Sequence, residues 1–392
     1  MSVTKLAGVA WAHRRCWGPL EHTAETPGFA DGIEVRWKRR TLFSFGEGDL
    51  EDFTATNDLI IFDHPFTGDV ASRGLMMDLG RFLTAEDIKM LESNQLGASY
   101  RSYSHKGGVY ALPIDAAATT AAWRPDLMKK LDAKPPRHIR DVYELSRRAR
   151  ENNQWVAWAA KPTDLFCTYI AMLASLGVNV GHEDGPFCPQ EQSAHVIQEM
   201  KRLRDVIYPG SFEWNPINLF DFMTSSDQVV YAPFAFNYVN YCTLPSRSLR
   251  FGASPRMLDH YPARGILGGA GIGVSSSSQN PRAAFQYAMK LINPSYQAST
   301  YVAHGGQPGM RSAWISEDCD EMTNGFFSGC LEAMENAFLR PNIPGFITFF
   351  HEGTHKLASV VIHDSCHDEF WCWLTKFYDS LREGVKAAGP NG

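Results

Sequence analysis

Several features that would assign this chain to a particular class are missing from its sequence. Its 392 residues contain no apolar run that approaches the ~20 residues of a transmembrane helix. The eight cysteines form no CxxC pair and no metal-ligand spacing, which argues against a zinc ribbon or a redox motif. Repeats, low-complexity segments and runs of charge are also missing, and the net charge of −6 argues against nucleic-acid or anionic-membrane partners.

The N-terminus lacks the marks of a secretory signal. MSVTKLAGVAW has neither the apolar core of ~7–15 residues nor the small-residue cleavage site of such a signal. Two interpretations therefore stay open: the chain is a processed form with an added Met, or the native protein stays in the cytoplasm. Most cysteines lie among apolar residues, as Cys167 does in DLFCTYIAML, and reduced core thiols mildly favour the cytoplasm.

What the sequence does contain is enough apolar residues for two domains with separate cores. It is 44% hydrophobic and 20% charged, as soluble globular proteins are. The aromatic residues are numerous, with 10 Trp, 14 Tyr and 24 Phe. Two explanations of these residues stay open. They fill large cores, or they form a set of ring platforms on which sugars or planar ligands stack.

Short apolar runs alternate with helical periodicity, which predicts an α/β architecture with mostly parallel sheets. The predicted buried strands are Lys5–Trp11, Glu34–Trp37, Asp58–Phe62, Val229–Pro233 and Ile266–Ser275. The predicted helices are residues 20–30, broken at Pro27 and Gly28, then Arg140–Arg150, Glu191–Ile207 and a helix that begins at Pro281.

Five short motifs carry a family resemblance that spans nearly the whole chain. They are W-x-H at 11–13, DHPF at 63–66, GGxG at 268–271, GGQPG at 305–309 and RPNIPGFITF at 340–349. With them the chain resembles the extracellular solute-binding proteins of ABC transporters, carbohydrate type (family 1). The resemblance implies a two-lobed periplasmic-binding-protein fold (type II) with a hinge and a cleft between the lobes.

The resemblance also implies a domain division and a function. We expect residues 1–114 and 264–310 in lobe 1, and residues 115–263 and 311–392 in lobe 2. The expected function is capture of a small polar solute, a sugar or related compound, and its delivery to an ABC permease by hinge closure. It implies a monomer without cofactor or nucleic-acid partner, located in the periplasm, or in the cytoplasm if the signal-less N-terminus is native.

Candidate ligand-binding residues follow the predicted strands of the first lobe. In open α/β sheets, ligands lie beyond the carboxyl ends of the strands. A carboxylate there accepts hydrogen bonds from two hydroxyls at once, which suits a sugar diol. The candidates are Trp11, His13 and Arg15 after the first strand, and Asp63, His64 and Phe66 after the strand DLIIF.

The remaining candidates lie at predicted chain crossings and in the second lobe. Asp115 is either a ligand contact or a cap, and Arg311 is either a ligand fork or part of a salt bridge. An aromatic–amide–aromatic triplet after VVYAP is typical of a stacking platform with one hydrogen-bonding arm. The remaining candidates are Phe236, Asn237, Tyr238, Gly269, Gly306, Gln307 and Phe350.

One motif favours a different function. His351-Glu352-Gly353-Thr354-His355 matches H-E-x-x-H, in which two histidines bind zinc and the glutamate acts as a base. The extended metzincin spacing is lacking, so we assign no metal ligand and no catalytic residue. The alternative is an enzyme built on the same scaffold, an acid–base lyase or hydrolase, with acid, base or metal-ligand groups from His13, Asp63, His64, Asp115 and Glu352.

Overall fold

The computed structural model describes residues 3–46, 48–181 and 185–387. Its strands are β1 (Thr4–Trp11), β2 (Ile33–Arg40), β3 (Leu59–Phe62), β4 (Ser104–His105), β5 (Gly108–Val109), β6 (Leu112–Trp123), β7 (Trp155–Val156), β8 (Val229–Phe236), β9 (Arg250–Gly252) and β10 (Leu267–Val274). Each long strand predicted from the sequence is found, within a few residues at its ends.

Helices connect most of these strands, and seven helices follow β10 within the described residues. The helices are α1 (Arg14–Glu25), α2 (Leu42–Gly46), α3 (Glu51–Thr56), α4 (Thr67–Ser72), α5 (Ala85–Asn94), α6 (Pro125–Lys130), α7 (Ile139–Glu151), α8 (Pro162–Ser175), α9 (Gln190–Arg204), α10 (Pro216–Ser225), α11 (Pro281–Leu291), α12 (Pro294–Tyr296), α13 (Arg311–Trp314), α14 (Glu317–Met322), α15 (Phe326–Glu335), α16 (Phe346–His363) and α17 (His367–Ala387). Within the described residues, none of them has the length and apolar character to cross a membrane.

The main sheet has the strand order β2-β1-β3-β10-β6-β8-β7, with β9 beside β6. The pairs β1–β2, β1–β3 and β7–β8 are parallel. The strands β6 and β10 pair antiparallel with each other and with all their other neighbours. The sheet is therefore mixed, which corrects the expectation of mostly parallel sheets. The reason is that β6 and β10, which lie between the two parallel parts of the sheet, run antiparallel to their neighbours.

Strand β6 joins the two parts of the sheet. Its residues 112–118 pair with β10, and its residues 119–123 pair with β8 and β9. A bulge interrupts the β6–β10 pairing between Ala270 and Gly271. Gly269 has φ +127°, and a Cβ there would lie 2.4 Å from the carbonyl oxygen of Asp115. Only glycine takes that backbone conformation at such a close approach without strain.

Helix α1 begins earlier than the sequence predicted. It runs from Arg14 to Glu25 and contains Pro19, whereas a helix over residues 20–30 was expected. The imidazole Nδ1 of His13 accepts a hydrogen bond from the backbone N–H of Arg15 and caps the helix. Histidine is an unusual N-cap, and Gly18-Pro19 has the composition of a turn, so the sequence hid this start.

The core beneath α8, α16 and α17 is rich in aromatic side chains. The ring centroids of Phe166 and Phe350 lie 5.1 Å apart, those of Phe187 and Phe349 5.0 Å, and those of Phe187 and Tyr378 5.1 Å. Full burial of each such ring stabilises the fold by roughly 1.5–3 kcal/mol. Much of the aromatic content is therefore core.

Candidate functional site

A cavity of about 230 Å³ lies between the ends of β1 and β3 on one side and the starts of α8 and α10 on the other. The first side contributes Trp11, Arg15, Phe45, Asp63 and Pro65. The starts of α8 and α10 contribute Lys161, Thr163, Asp164, Asn215 and Pro216, and the lining also includes Ala117, Phe236, Tyr238, Gly268, Gly269, Arg340, Ile347 and Phe350. The cavity thus receives residues from segments that lie far apart in the chain.

An ion pair between Asp63 and Arg340 lines this cavity. An Nη of Arg340 lies 3.0 Å from Oδ2 of Asp63, and the two side chains are 5% and 18% exposed. Oδ1 of Asp63 accepts from the backbone N–H of His64 and lies 3.1 Å from its Nδ1. Burial alone would raise the pKa of Asp63, but the charge of Arg340 and these hydrogen bonds outweigh it and lower the pKa to about 2. Asp63 is therefore an ionised acceptor throughout the neutral range.

Aromatic rings form much of the cavity wall. The indole of Trp11 and the phenol of Tyr238 approach edge to face, with centroids 6.2 Å apart. The guanidinium of Arg15 lies 4.9 Å from the ring centroid of Trp11 and 4.5 Å from that of Tyr238. These cation–π contacts hold the two rings in place, with the guanidinium covering their faces.

Arg15 ties several segments together beneath the rings. Its Nε and Nη2 donate to the two carboxylate oxygens of Asp115 at 2.8 and 2.7 Å, and its Nη1 donates to the carbonyl oxygen of Asn237 at 2.8 Å. Both charged side chains are buried. The neighbouring carboxylate raises the pKa of Arg15 despite the opposing effect of burial. Asp115 is therefore committed to Arg15 and does not line the cavity.

Gln307 and Asn237 form a second buried junction. Nε2 of Gln307 donates to the carbonyl of Ala116 at 2.7 Å and to Oδ1 of Asn237 at 2.9 Å, while its Oε1 accepts from the N–H of Val239 at 3.0 Å. Neither side chain has exposed area. Gln307 thus joins three chain segments at the level of β6, and its polar atoms are engaged by the protein.

The structure brings seven of the fifteen predicted site residues to the cavity: Trp11, Arg15, Asp63, Phe236, Tyr238, Gly269 and Phe350. The other eight lie elsewhere. His64, Phe66, Asp115, Asn237 and Gln307 are buried beside or below it. A Cβ at Gly306 would meet the ring of Tyr301, and Arg311, which is partly exposed, forms an ion pair with Glu335 at 2.8 Å. Strand ends located these residues correctly along the chain but did not tell which side chains face inward.

His13 lies at a separate depression with Arg14, Trp17 and His22. Its ring stacks on Trp11 with centroids 5.6 Å apart and meets Tyr238 edge to face at 4.9 Å. Burial and the nearby charge of Arg15 lower the pKa of His13 to about 3. His13 is therefore neutral at physiological pH and supports the rings from behind.

Sequence reasoning missed the residues that begin the helices on the far side of the cavity. Lys161 and Asn215 are the N-cap residues of α8 and α10, and each precedes a proline at the first helical position. That X-Pro pattern is a sequence signal for a helix start and could have located them. Arg340 lies within the quoted motif RPNIPGFITF, but nothing local in the sequence marks it as a partner for Asp63.

The H-E-x-x-H segment lies on α16, where His351, Glu352 and His355 are exposed. Of the possible third ligands His363, Asp364, His367 and Glu369, two are engaged elsewhere: Asp364 pairs with Lys201 and Arg204, and Nε2 of His367 lies 3.0 Å from the Ser193 hydroxyl. Across residues 3–46, 48–181 and 185–387, no three His, Cys, Asp or Glu side chains are arranged to hold a metal ion. The segment therefore has the sequence of a zinc motif, but the described residues supply no third ligand beside it.

The acid–base candidates are likewise dispersed. Of these residues only Asp63 lines the cavity, where its lowered pKa keeps it ionised and unable to act as a general acid, while its oxygens retain lone pairs that can accept from a ligand. Asp115 is bound to Arg15, His13 lines the other depression, and Glu352 is on the exposed face of α16. The arrangement favours recognition of a polar ligand over general acid–base chemistry.

Comparison with known proteins decides the family. The family model described as bacterial extracellular solute-binding protein matches residues 30–298. The chain belongs to this family. A comparison of this solute-binding protein with curated proteins found no significant match.

Solved structures with the same two-lobed periplasmic-binding-protein fold cover nearly all of this solute-binding protein. Maltose-bound MalE3 of T. maritima is 17% identical, with a TM-score of 0.83 over 97% of this chain and 100% of that one. A Thermotoga lettingae TMO protein bound to alpha-D-tagatose is 14% identical, with a TM-score of 0.80 over 97% and 100%. An Agrobacterium radiobacter K84 protein in complex with ribitol is 16% identical, with a TM-score of 0.78 over 97% and 99%. At such identities the likeness establishes the fold, which the sequence predicted.

Proposed function

We propose that this solute-binding protein captures one small polyhydroxy solute, a monosaccharide-sized sugar or polyol, in the cavity beside Asp63. The pair of Asp63 and Arg340 carries the proposal. An ionised carboxylate accepts hydroxyl hydrogen bonds and a guanidinium donates to hydroxyl oxygens, so the pair suits vicinal hydroxyls. The rings of Phe236 and Phe350 line the same cavity and supply apolar surface for the other face of a sugar.

The size of the cavity restricts the solute. Pockets for drug-sized ligands enclose roughly 300–1,000 Å³. This cavity encloses about 230 Å³, which favours a single ring or a short polyol over an oligosaccharide. The relatives described above were solved with maltose, alpha-D-tagatose and ribitol, and the last two are the size expected here.

In this proposal, the loaded protein passes its solute to an ABC permease outside the cytoplasmic membrane and acts as a monomer. The domain division expected from the sequence is part of the same proposal, with the junction near β6 as the hinge. Closure of the lobes removes water from the solute and strengthens each hydrogen bond. The solute must then bind the closed state in preference to the open one, because otherwise it would not drive closure.

Two measurements test the proposal. Mass spectrometry of protein released by denaturation identifies a copurifying sugar or polyol. Titration calorimetry with D-tagatose, ribitol and D-glucose then measures affinity for wild-type protein, Asp63→Asn and the control Arg311→Ala, which removes an exposed cation away from the cavity. We expect a bound solute to raise the melting temperature, since ligand at 100 Kd stabilises the native state by about 2.7 kcal/mol.

We expect Asp63→Asn to lose about tenfold or more in affinity and Arg311→Ala to bind as wild type does. Equal affinities in all three proteins would contradict the assigned cavity. Conversion of the bound solute, followed by NMR over a day, would contradict a purely binding role and revive the enzyme alternative.

A further inference from the structure

His64 follows Asp63 directly in the chain, but its imidazole is buried behind the cavity wall. The side chain is 1% exposed and is not part of the cavity lining. It begins the 3-10 turn His64–Phe66, in which Pro65 is the next residue. The ring meets that of Tyr103 edge to face, with centroids 6.5 Å apart. The burial of a polar ring at this place needs a reason, which its two nitrogens supply.

One ring nitrogen faces the carboxylate of Asp63. Nδ1 of His64 lies 3.1 Å from Oδ1 of Asp63. Burial and the nearby charge of Arg340 lower the pKa of His64, so the ring is neutral at physiological pH and carries a single N–H. The carboxylate has a pKa of about 2, so it is ionised and can only accept. The proton of the ring therefore belongs on Nδ1.

The other ring nitrogen is left without a donor. Nε2 of His64 is buried and has no hydrogen-bond partner among the described residues. With the proton on Nδ1, Nε2 is a bare acceptor, and a buried acceptor without a donor destabilises the fold. An apolar side chain at position 64 would fill the same space without this cost. What histidine adds here is its contact with Asp63.

Donors hold the carboxylate of Asp63 at both of its oxygens. Oδ1 accepts from the backbone N–H of His64 at 2.8 Å and faces Nδ1 of the same residue. Oδ2 accepts from Arg340 at 3.0 Å. The last torsion of an aspartate side chain is broad, so a carboxylate with fewer partners rotates readily. The contacts on either side fix the plane of this carboxylate at the cavity wall.

We propose that His64 is a positioning residue for solute binding, whose Nδ1–H holds the carboxylate of Asp63 in the orientation that accepts from a solute hydroxyl. The proposal rests on the proposed function, in which Asp63 binds the solute, and adds a residue that acts through Asp63. His64 itself does not contact the solute. An acceptor that is already oriented loses no rotational freedom when the solute arrives, which strengthens binding.

NMR of the imidazole nitrogens tests the first step of the proposal without any solute. Long-range proton–nitrogen correlation spectra of 15N-labelled protein distinguish a protonated ring nitrogen from a bare one. His64→Asn removes one set of signals and thereby assigns those of His64. We expect a protonated Nδ1 and a bare Nε2 at neutral pH. A proton on Nε2, alone or together with one on Nδ1, overturns the proposal.

Calorimetry with D-tagatose, ribitol and D-glucose tests the second step. The variants are His64→Leu, which removes both nitrogens, and His64→Asn, whose amide N–H lies near the position of Nδ1. The control is His355→Leu, at an exposed position of α16. Melting temperatures are measured for every variant, because a purely structural role of His64 would lower the melting temperature and leave the affinity unchanged.

We expect His64→Leu to bind about tenfold more weakly than wild-type protein and His64→Asn to lose less than about threefold. His355→Leu should bind as wild type does. The melting temperature of His64→Leu should stay close to that of wild type, since the bare acceptor is removed together with the donor.

Three results contradict the proposal. Wild-type affinity in His64→Leu overturns it, and the proposed function still stands if Asp63→Asn weakens binding. Equal losses in His64→Leu and His64→Asn also overturn it, because the N–H would then have no part in binding. Failure of wild-type protein to bind any solute overturns the proposed function and this inference with it. The tautomer is measured in wild-type protein, so it tests the proposal even if His64→Leu does not fold.

Discussion

The guanidinium of Arg15 and the carboxylate of Asp115, 100 residues apart in the chain, face each other through two parallel hydrogen bonds of 2.8 and 2.7 Å. Arg15 lies at the start of α1 and Asp115 lies in β6, the strand that joins the two parts of the sheet. A third hydrogen bond from Arg15 reaches Asn237 at the end of β8. One buried ion pair thus fixes the position of α1 relative to the strands beneath the cavity.

This pair predicts a large loss of stability when only one partner is removed. Arg15→Met leaves the carboxylate of Asp115 buried and unpaired, and we expect the free energy of unfolding to fall by about 3–5 kcal/mol. The double variant Arg15→Met/Asp115→Leu should recover part of this loss, because no buried charge remains. Urea denaturation measures both.

The exposed pair of Arg311 and Glu335 is the matched control, with side chains 40% and 39% exposed. Arg311→Met should cost less than about 1 kcal/mol, because solvent screens an exposed ion pair. A similar loss from both single variants would mean that solvent screens the pair of Arg15 and Asp115 as it screens the exposed one.

Asp63 is predicted to affect both binding and stability. From the sequence alone, Asp63→Ala is expected to weaken binding while leaving the melting temperature nearly unchanged. The ion pair with Arg340 revises that expectation: Asp63→Ala strands a guanidinium that is 5% exposed and should cost several kcal/mol, about 3–5. Asp63→Asn retains an acceptor for the N–H of His64 and should cost less. Thermal unfolding of both variants, with and without the copurified solute, separates the two effects.

The same carboxylate predicts an acid dependence with a definite sign. Because the folded-state pKa of Asp63 is about 2, below its ordinary 3.8, its contribution is complete above pH 4. The contribution is lost as the pH falls from about 4 to about 2. Urea midpoints should therefore fall more steeply over this range in wild-type protein than in Asp63→Asn, and parallel curves would contradict the ionised pair.

His13 predicts a second pH dependence, at higher pH. Its folded-state pKa of about 3 lies below the ordinary 6.5, so the unfolded chain binds the proton first as the pH falls. Stability is thus lost progressively below about pH 6.5, and protonation of Nδ1 also removes the cap on Arg15. His13→Asn keeps a capping oxygen without this titration. Between pH 7 and 4 its urea midpoint should decline less than that of wild-type protein; an equal decline would place the titrating group elsewhere.

Gly269 predicts the strictest backbone requirement near the cavity floor. With φ +127° and the Asp115 carbonyl 2.4 Å from any Cβ, Gly269→Ala should lower the free energy of unfolding by more than about 1 kcal/mol. Gly384→Ala is the control: its Cβ meets nothing within 4 Å on α17, so it should stabilise the protein by about 0.5–1 kcal/mol. Opposite signs in denaturation are the expected outcome, and a neutral Gly269→Ala would mean that β10 shifts freely.

The sequence predicted much of the fold because its strands have local signatures. DLIIF became β3 and VVYAP became the first part of β8, each buried along its length. Continuous apolar runs bounded by turn residues are sufficient to mark such strands. Helix α1 was displaced because a histidine cap and an internal proline disguise its start.

The site was predicted only in part, since a strand end gives a position along the chain and not a direction. Trp11 and Asp63 face the cavity, while His64 and Asp115, from equally promising positions, turn into the protein. The difference for Asp115 has a physical cause. Its carboxylate can be buried because the guanidinium of Arg15 neutralises its charge there.

The sequence by itself determined the family, the α/β alternation and the order of the strands along the chain, because these follow from local patterns and short motifs. Tertiary structure alone decided that Arg340 meets Asp63, 277 residues away, and that residues at the start of α8 line the same cavity. Pairing of charges and the convergence of helix ends depend on distances across the folded chain, and no local pattern contains those distances.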